Sequence, residues 1–408
     1  MISRLIEPVK NVVIAALLVS ALFLVNETGL WEIGFSRETM IAAAPAEELP
    51  GAVMPAVQPV FAAVTSAYGE RCGAKYDSVA VRTIYDRFGH YMREAFSLSD
   101  APERVTEEQW RAALSGENVF FDFLSALPLR VLAERQEAPA AAIRMLCLAQ
   151  EENLYLYYAD EANGLKYRID ASSSGSISAR IAEFAPDGAL FAFEAGQAYG
   201  NLEPYVLICR DTPAADRLSL SNPLNPEYSW LFKLFDINGF LANHYREPDG
   251  AEVYVENDGT TLRVGWNGFV SYTAGPREPA EAFSMEEAIA LARSLVANSI
   301  GLYCGAARTE LSGVSHDPAA ELYTLTFRYI AGGIPLMFAD GGDAAVIQVS
   351  GGVITSARLR FREYKLAGDS EIVSQERQMA AAVPGGEQLL AYVDGGDSVK
   401  TEWVVWNG

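Results

Sequence analysis

Three kinds of hydrophobic pattern divide the chain. Residues 12–25 form an apolar run, Val60 to Gln136 carry apolar residues at helical spacing, and from Ile143 onward apolar and polar positions alternate. Alternation over Ile143–Leu148, Leu154–Tyr158 and Leu165–Ile169 predicts successive antiparallel strands, with short ones at Leu190–Phe193 and Tyr205–Ile208. Between 249 and 275 the pairs Asp249-Gly250, Asp258-Gly259 and Asn267-Gly268 punctuate Val253–Glu256, Thr261–Trp266 and Phe269–Tyr272. Asp-Gly and Asn-Gly tolerate the positive φ of type I′ turns, so these residues predict a tight hairpin meander. Further strands are expected at Leu322–Ile330, Pro335–Phe338, Ala344–Val349, Val353–Tyr364 and Thr401–Trp406.

Helices interrupt this pattern at recognisable starts. Thr106 with Gln109 fits a capping box, Trp110, Ala113 and Leu114 share one face, and Ser115-Gly116 stops the helix. Ser284 with Glu287 opens a second, over 284–299, with Ala288, Leu291, Ala292, Leu295 and Val296 as its apolar stripe. Glu376–Ala382 reads as a third, and Phe120–Val131 as a mixed stretch interrupted by Pro128. The fold class expected is α+β, with helices packed on antiparallel β-sheets.

The N-terminus predicts a membrane anchor. Arg4 and Lys10 precede the apolar run Val12–Val25, which Asn26-Glu27 ends. Fourteen residues make about 21 Å of helix, short of the roughly 30 Å hydrocarbon core unless Asn11 and Thr28–Trp31 extend it. Trp31 would then be an interfacial aromatic, with the basic residues cytoplasmic. A cleaved signal peptide is the alternative, but the next cluster of small residues, Ala42–Ala44, lies well beyond Val25. Ala16 and Ser20 make a small-xxx-small pair at which another transmembrane helix could approach closely. The organisation read from the sequence is a cytoplasmic stub and anchor over 1–34 and an Ala/Pro-rich spacer over 35–59. Two extracytoplasmic regions follow, 60–200 and 201–408, the second with a sheet over 322–406 and a subdivision near 276.

Composition narrows the function. The 408 residues are 50 % hydrophobic and carry 53 acidic against 31 basic side chains, for a net charge of −22. A folded body follows from the first figure. The second argues against nucleic-acid binding and against electrostatic attraction to anionic membranes. Cys72, Cys147, Cys209 and Cys304 lie 62 to 95 residues apart, too far for a local zinc site. Free thiols are expected, with a Cys147–Cys209 bridge as the alternative. The histidines are His90, His244 and His316, and no nucleophile-elbow, zinc-protease or phosphate-loop motif is present. Ser312–His316 reads as a loop whose serines and histidine are badly placed for a triad. The Asp-Gly-Gly-Asp runs at 340–343 and 394–397 read as turns rather than calcium loops. No catalytic residue, cofactor site or metal site is expected.

Several stretches carry a resemblance: the basic N-terminus, lone span and Trp31; Leu234–Phe240 leading into Tyr245–Glu256 and Thr261–Tyr272; Phe327–Leu336 and Ala345–Tyr364; and Ala391–Asp394 with Trp403. Together they resemble the YycH/YycI family, single-pass accessory proteins of the WalK/WalR two-component system of low-GC Gram-positive bacteria. The length and the N-terminal region look more like the YycH branch. The resemblance implies a non-enzymatic regulator of a WalK-like sensor histidine kinase, working with a YycI-like partner through span and extracytoplasmic contacts. The partner-binding positions would include Ala16, Ser20 and Trp31. A binding or inhibitor module for an extracytoplasmic peptidase or wall polymer is the other class compatible with the chain.

Overall fold

The computed structural model describes residues 57–98, 101–133, 141–200, 202–211, 213–224, 227–276, 283–382 and 386–406. The expected span, with Ala16, Ser20 and Trp31, lies outside them. Among the described residues no helix is long and apolar enough to cross a membrane. The described part is α+β, mostly antiparallel sheet with few helices, and residues 53–408 make one compact unit.

The first sheet has seven strands: β1 (Phe61–Thr65), β2 (Arg71–Ala74), β3 (Glu103–Val105), β4 (Asn118–Pro128), β5 (Ala142–Gln150), β6 (Leu154–Asp160) and β7 (Leu165–Asp170), in the order β2-β1-β4-β5-β6-β7-β3. Over Ala62–Val64, Val119–Phe121, Leu146–Leu148 and Leu156–Tyr158 its residues alternate between two cores. Ala62, Val64, Val119, Phe121, Leu146, Leu148, Leu156 and Tyr158 join the large core, which helix α1 (Ser78–Leu98) helps to cover. Ala63, Phe120, Cys147 and Tyr157 turn the other way, against Trp110, Ala113 and Leu114 of helix α2 (Glu107–Ser115) and against Phe191 and Leu207.

That double covering explains a correction. The helical spacing read across 60–136 holds for α1 and α2, but Phe61–Thr65 and Asn118–Pro128 are strands. Both faces of β4 are apolar, so the stretch from Val119 to Leu124 loses the period-two signature and resembles a buried helix. The capping box of α2 forms as expected: Thr106 Oγ1 accepts the Gln109 N–H at 3.3 Å, and Gln109 Oε1 accepts the Thr106 N–H at 2.8 Å.

The second sheet has eleven strands: β8 (Asn243–Arg246), β9 (Glu252–Val255), β10 (Thr261–Val264), β11 (Phe269–Thr273), β12 (Ala307–Asp317), β13 (Leu322–Ala331), β14 (Ile334–Phe338), β15 (Ala345–Ser350), β16 (Val353–Arg360), β17 (Glu387–Asp394) and β18 (Val399–Trp406). It forks at β13. Along one side β13 pairs with β12 over its whole length. On the other side Leu322–Phe327 pair with β15, whereas Tyr329–Ala331 pair with β14 through the hairpin turn Gly332-Gly333. One branch then runs β15-β16-β11-β10-β9-β8 and ends in the expected meander; the other runs β14-β17-β18, with β14 and β17 parallel. Helix α3 (Met285–Ala297) starts at the expected Ser284–Glu287 capping box and buries Ala288, Ala292, Leu295 and Val296. Helix α4 (Glu376–Ala382) contacts β17.

Buried ion pairs join the two sheets. Arg144 of β5 binds Asp122 of β4 at 2.9 Å and Glu387 of β17 at 2.5 Å. Lys75, just past β2, donates to Glu376 of α4 at 2.6 Å, both side chains being almost fully buried. The Leu390 N–H of β17 donates to the Tyr76 hydroxyl at 2.9 Å. At the start of α1, the Ser78 N–H donates to Gly332 O at 3.2 Å. Trp403 and Trp406 of β18 are half-buried; Trp403 packs edge-on against Tyr76 at 5.8 Å, and the Arg328 guanidinium stands 5.8 Å from the Trp406 ring centroid.

Candidate interaction surface

Residues with possible chemistry are dispersed among structural roles. His90 lies on α1 against Tyr91 and Arg180, and burial, then the Arg180 charge, lower its pKa. His316 stacks on Tyr323 with ring centroids 4.3 Å apart. Ser312–His316 is not a loop but part of β12, whose register shifts between Leu311 and Gly313. Such a strand goes unnoticed in sequence because Arg308, Glu310, Ser312 and Gly313 leave it with few apolar positions. All four cysteines are free, so Cys147 and Cys209 form no bridge. Burial raises all four thiols, Cys72 to about 11. Among the described residues no cluster of three or more His, Cys, Asp or Glu side chains could hold a metal.

The two Asp-Gly-Gly-Asp runs have partners of their own. Asp340 accepts both oxygens' worth of hydrogen bonds from Arg360 Nη1 at 2.9 Å, and also the Gly342 N–H at 3.1 Å. Buried Asp394 accepts from Arg362 Nε at 3.0 Å, from the Tyr364 hydroxyl at 2.9 Å and from the Gly396 N–H at 2.7 Å. In both runs the first carboxylate, Asp340 or Asp394, is engaged within the fold.

A different arrangement is found where the second sheet ends. Among the described residues strand β8 is terminal in the sheet order and pairs on one side with β9, and all four of its residues are exposed. Phe240, Leu241 and Tyr245 on or just before it are 101 %, 73 % and 50 % exposed, and Trp266, at the turn after β10, is 72 % exposed. The local sequence places them there. Asn238 Oδ1 accepts the Phe240 N–H at 3.1 Å, closing a turn that sends the ring outward. Trp266 immediately precedes Asn267-Gly268, with Gly268 at φ +81°, so it occupies a hairpin tip. The usable signal was adjacency to Asn-Gly: an aromatic beside such a turn has no opposing layer.

The edge is pinned from behind. His244 stacks on Tyr254 with centroids 4.5 Å apart, and its Nε2 lies 2.7 Å from Glu252 Oε2. Arg246 Nε donates to Glu252 Oε1 at 2.6 Å. The Tyr254 hydroxyl lies 3.1 Å from that of Tyr228, and its ring meets Phe232 edge-on at 4.6 Å. One carboxylate therefore holds two side chains of the edge strand. Hydrogen bonds from Arg246, then His244, keep Glu252 below the usual glutamate range.

A folded-state pKa below the unfolded one contributes stability above the unfolded value and loses it as pH falls through the depressed value. Amide exchange in β8, corrected for intrinsic rates, should therefore accelerate below about pH 4.3, the ordinary glutamate value, before the β13 amides respond. A Glu252→Gln variant should show the faster β8 exchange already at pH 7. Equal protection of β8 in the two proteins would show that Glu252 does not hold the edge.

An unpaired edge is a template for another strand, and natural proteins blunt edges by shortness and charge. β8 is short and carries Arg246, which restrains indiscriminate pairing. The flanking Phe240, Leu241 and Trp266 are not blunted, and exposed aromatics of this kind are typical of anchors in protein interfaces. No family model, curated protein or solved structure matches the chain.

Proposed function

We propose that this protein is a membrane-anchored, non-enzymatic regulator of a WalK-like sensor histidine kinase, acting with a YycI-like partner. In this reading residues 1–34 form a single span with the N-terminus cytoplasmic, and the bulk of the chain lies outside the cell. The observation that carries the reading is the coincidence of two features. The stretches of resemblance Leu234–Phe240, Tyr245–Glu256 and Thr261–Tyr272 are the ones that build the open edge and display Phe240, Tyr245 and Trp266. A surface that recognises protein rather than substrate suits a regulator.

The physical requirement on such a regulator is differential contact. A partner without chemistry of its own shifts a kinase between states only by binding one state more tightly than the other. The edge and its aromatics supply a surface for such contact outside the membrane, and Ala16 with Ser20 supply a close-approach face within it.

Chemical cross-linking of the full chain in its native membranes, followed by affinity capture, should recover a histidine kinase and a second single-pass protein. Phe240→Ser together with Trp266→Ser should reduce the recovery several-fold while leaving the amount of anchored protein unchanged. Recovery of neither protein would overturn the proposal. Full regulatory activity after exchange of residues 1–34 for a cleavable signal would instead favour a binding or inhibitor module for a peptidase or wall polymer.

A further inference from the structure

At the far end of the second sheet's strand order from β8 stands β18, paired with β17 along its whole length. Which of its backbone groups face outward follows from the turn before it. The Gly395 N–H donates to Ser398 O at 3.0 Å, and bonding between the two strands recurs at every second residue from there. Lys400, Glu402, Val404 and Trp406 therefore bond to β17, whereas Val399, Thr401, Trp403 and Val405 turn their N–H and C=O groups away from it. The residues of β17 opposite the outward set agree. Asp394 O accepts from the Ala339 N–H and the Leu390 N–H donates to Tyr76, both on the side away from β18. Among the described residues no hydrogen bond reaches the outward groups of β18. The short strand Leu218–Ser221 comes near but ladders with Glu363–Leu366.

Natural edges are blunted by shortness, proline, bulges or charge. β18 is eight residues long, contains no proline and runs along β17 without a register shift. Its exposed charges are one of each sign, Lys400 and Glu402, two residues apart on one face. That pattern selects an occupant. When two copies of one strand pair antiparallel, the ladder centres on a residue that meets itself. Centred on Thr401, Lys400 stands opposite the second copy's Glu402, and Glu402 opposite its Lys400, at the close spacing of a non-hydrogen-bonded pair. Val399 then meets Trp403, a β-branched side chain against an aromatic, and Thr401 meets Thr401. Centred on Lys400 or Glu402, the strand would set like charge against like. Centred on Trp403, it would leave both charges opposite apolar residues.

We propose that β18 pairs antiparallel with β18 of a second copy of this chain, in the register centred on Thr401, so that two molecules share one continuous sheet. This pairing is independent of the kinase reading, since it uses another edge and another partner, and its test is separate from the capture experiment.

Sedimentation of the detergent-solubilised full chain should show a monomer–dimer equilibrium. Lys400→Glu and Glu402→Lys should each weaken the dimer about tenfold; both positions are exposed, so the circular dichroism of the folded chain should not change. An equimolar mixture of the two variants should dimerise as well as the parent, because both attractions return in the mixed pair. Thr401→Cys should cross-link to itself on mild oxidation, its Cα atoms standing about 5.5 Å apart across the axis. Glu402→Cys, about 8 Å from its counterpart, should not. A chain still monomeric at about 0.1 mM would overturn the proposal. So would a dimer indifferent to both charge reversals, or cross-linking of Glu402→Cys in place of Thr401→Cys. Cross-linking of Thr401→Cys in native membranes only to a different protein would also overturn it, and would assign the edge to a foreign strand.

Discussion

Replacing Arg144 by methionine should destabilise the folded body by about 3–5 kcal/mol, lowering its thermal midpoint by roughly 5–10 °C. The side chains of Arg144, Asp122 and Glu387 are only 15 %, 7 % and 3 % exposed. Removing the guanidinium leaves two carboxylates close together, buried and uncompensated. Asp122 cannot turn away to water, because its Oδ1 also accepts the Leu124 N–H at 2.7 Å and holds that residue at φ +63°. Glu387 is raised above the usual glutamate range, by burial first, even with Arg144 in place.

A second substitution separates the worth of the pair from the penalty of breaking it. Glu387→Leu in the Arg144→Met background should recover a substantial part of the loss, because buried pairs are often replaceable by apolar residues together but not singly. Chemical denaturation of the four proteins of this cycle gives the coupling directly. A loss below about 0.5 kcal/mol for Arg144→Met would place the residue with ordinary surface positions and would remove the triad as a tie between the sheets.

The second large effect concerns a contact without charge. Gly333 closes the β13–β14 hairpin at φ +96°, and a Cβ there would stand 2.7 Å from the N atoms of both Asp77 and Ser78. Those atoms are backbone at the start of α1, so relief requires the helix to lift from the hairpin. Gly332, beside it at φ +61°, has open space where its Cβ would go. Gly332→Ala should therefore cost only the left-handed backbone, about 1–2 kcal/mol. Gly333→Ala adds overlap and should cost about 3–4 kcal/mol, combining that conformational cost with strain of the kind seen on overpacking. Paired urea titrations check the order; equal costs would mean that α1 is not seated on the turn.

These two cases mark what can be read from a sequence and what cannot. Local chemistry was legible. Thr106 with Gln109 and Ser284 with Glu287 start helices because a side chain three residues away answers an otherwise orphaned N–H. Asp258-Gly259 and Asn267-Gly268 turn where positive φ is required. Legibility failed wherever the deciding neighbour was remote. Val119–Leu124, within a stretch that reads as mixed, declares itself a strand only once the layers on both its faces are known. Asp122, Arg144 and Glu387 are three unrelated charges in sequence, and the open edge at β8 is defined by the order of strands, which no local spacing encodes. The proposed anchoring positions Ala16, Ser20 and Trp31 were readable as a pattern and lie outside the described residues.

The ties between the sheets have a kinetic consequence. Lys75 meets Glu376 across 301 residues of chain, and Tyr76 meets Leu390 across 314. Contacts of such separation close large loops before they gain anything, which slows the search for the native pairing. A chain emerging in order from a ribosome or a translocation channel has made its first two strands long before the segment that caps them exists. Its early product is a partly covered sheet with a waiting lysine, prone to meet other chains in that interval. The last strand pair acts as the clasp of the fold, and the time before it arrives is when this protein most needs a chaperone's protection.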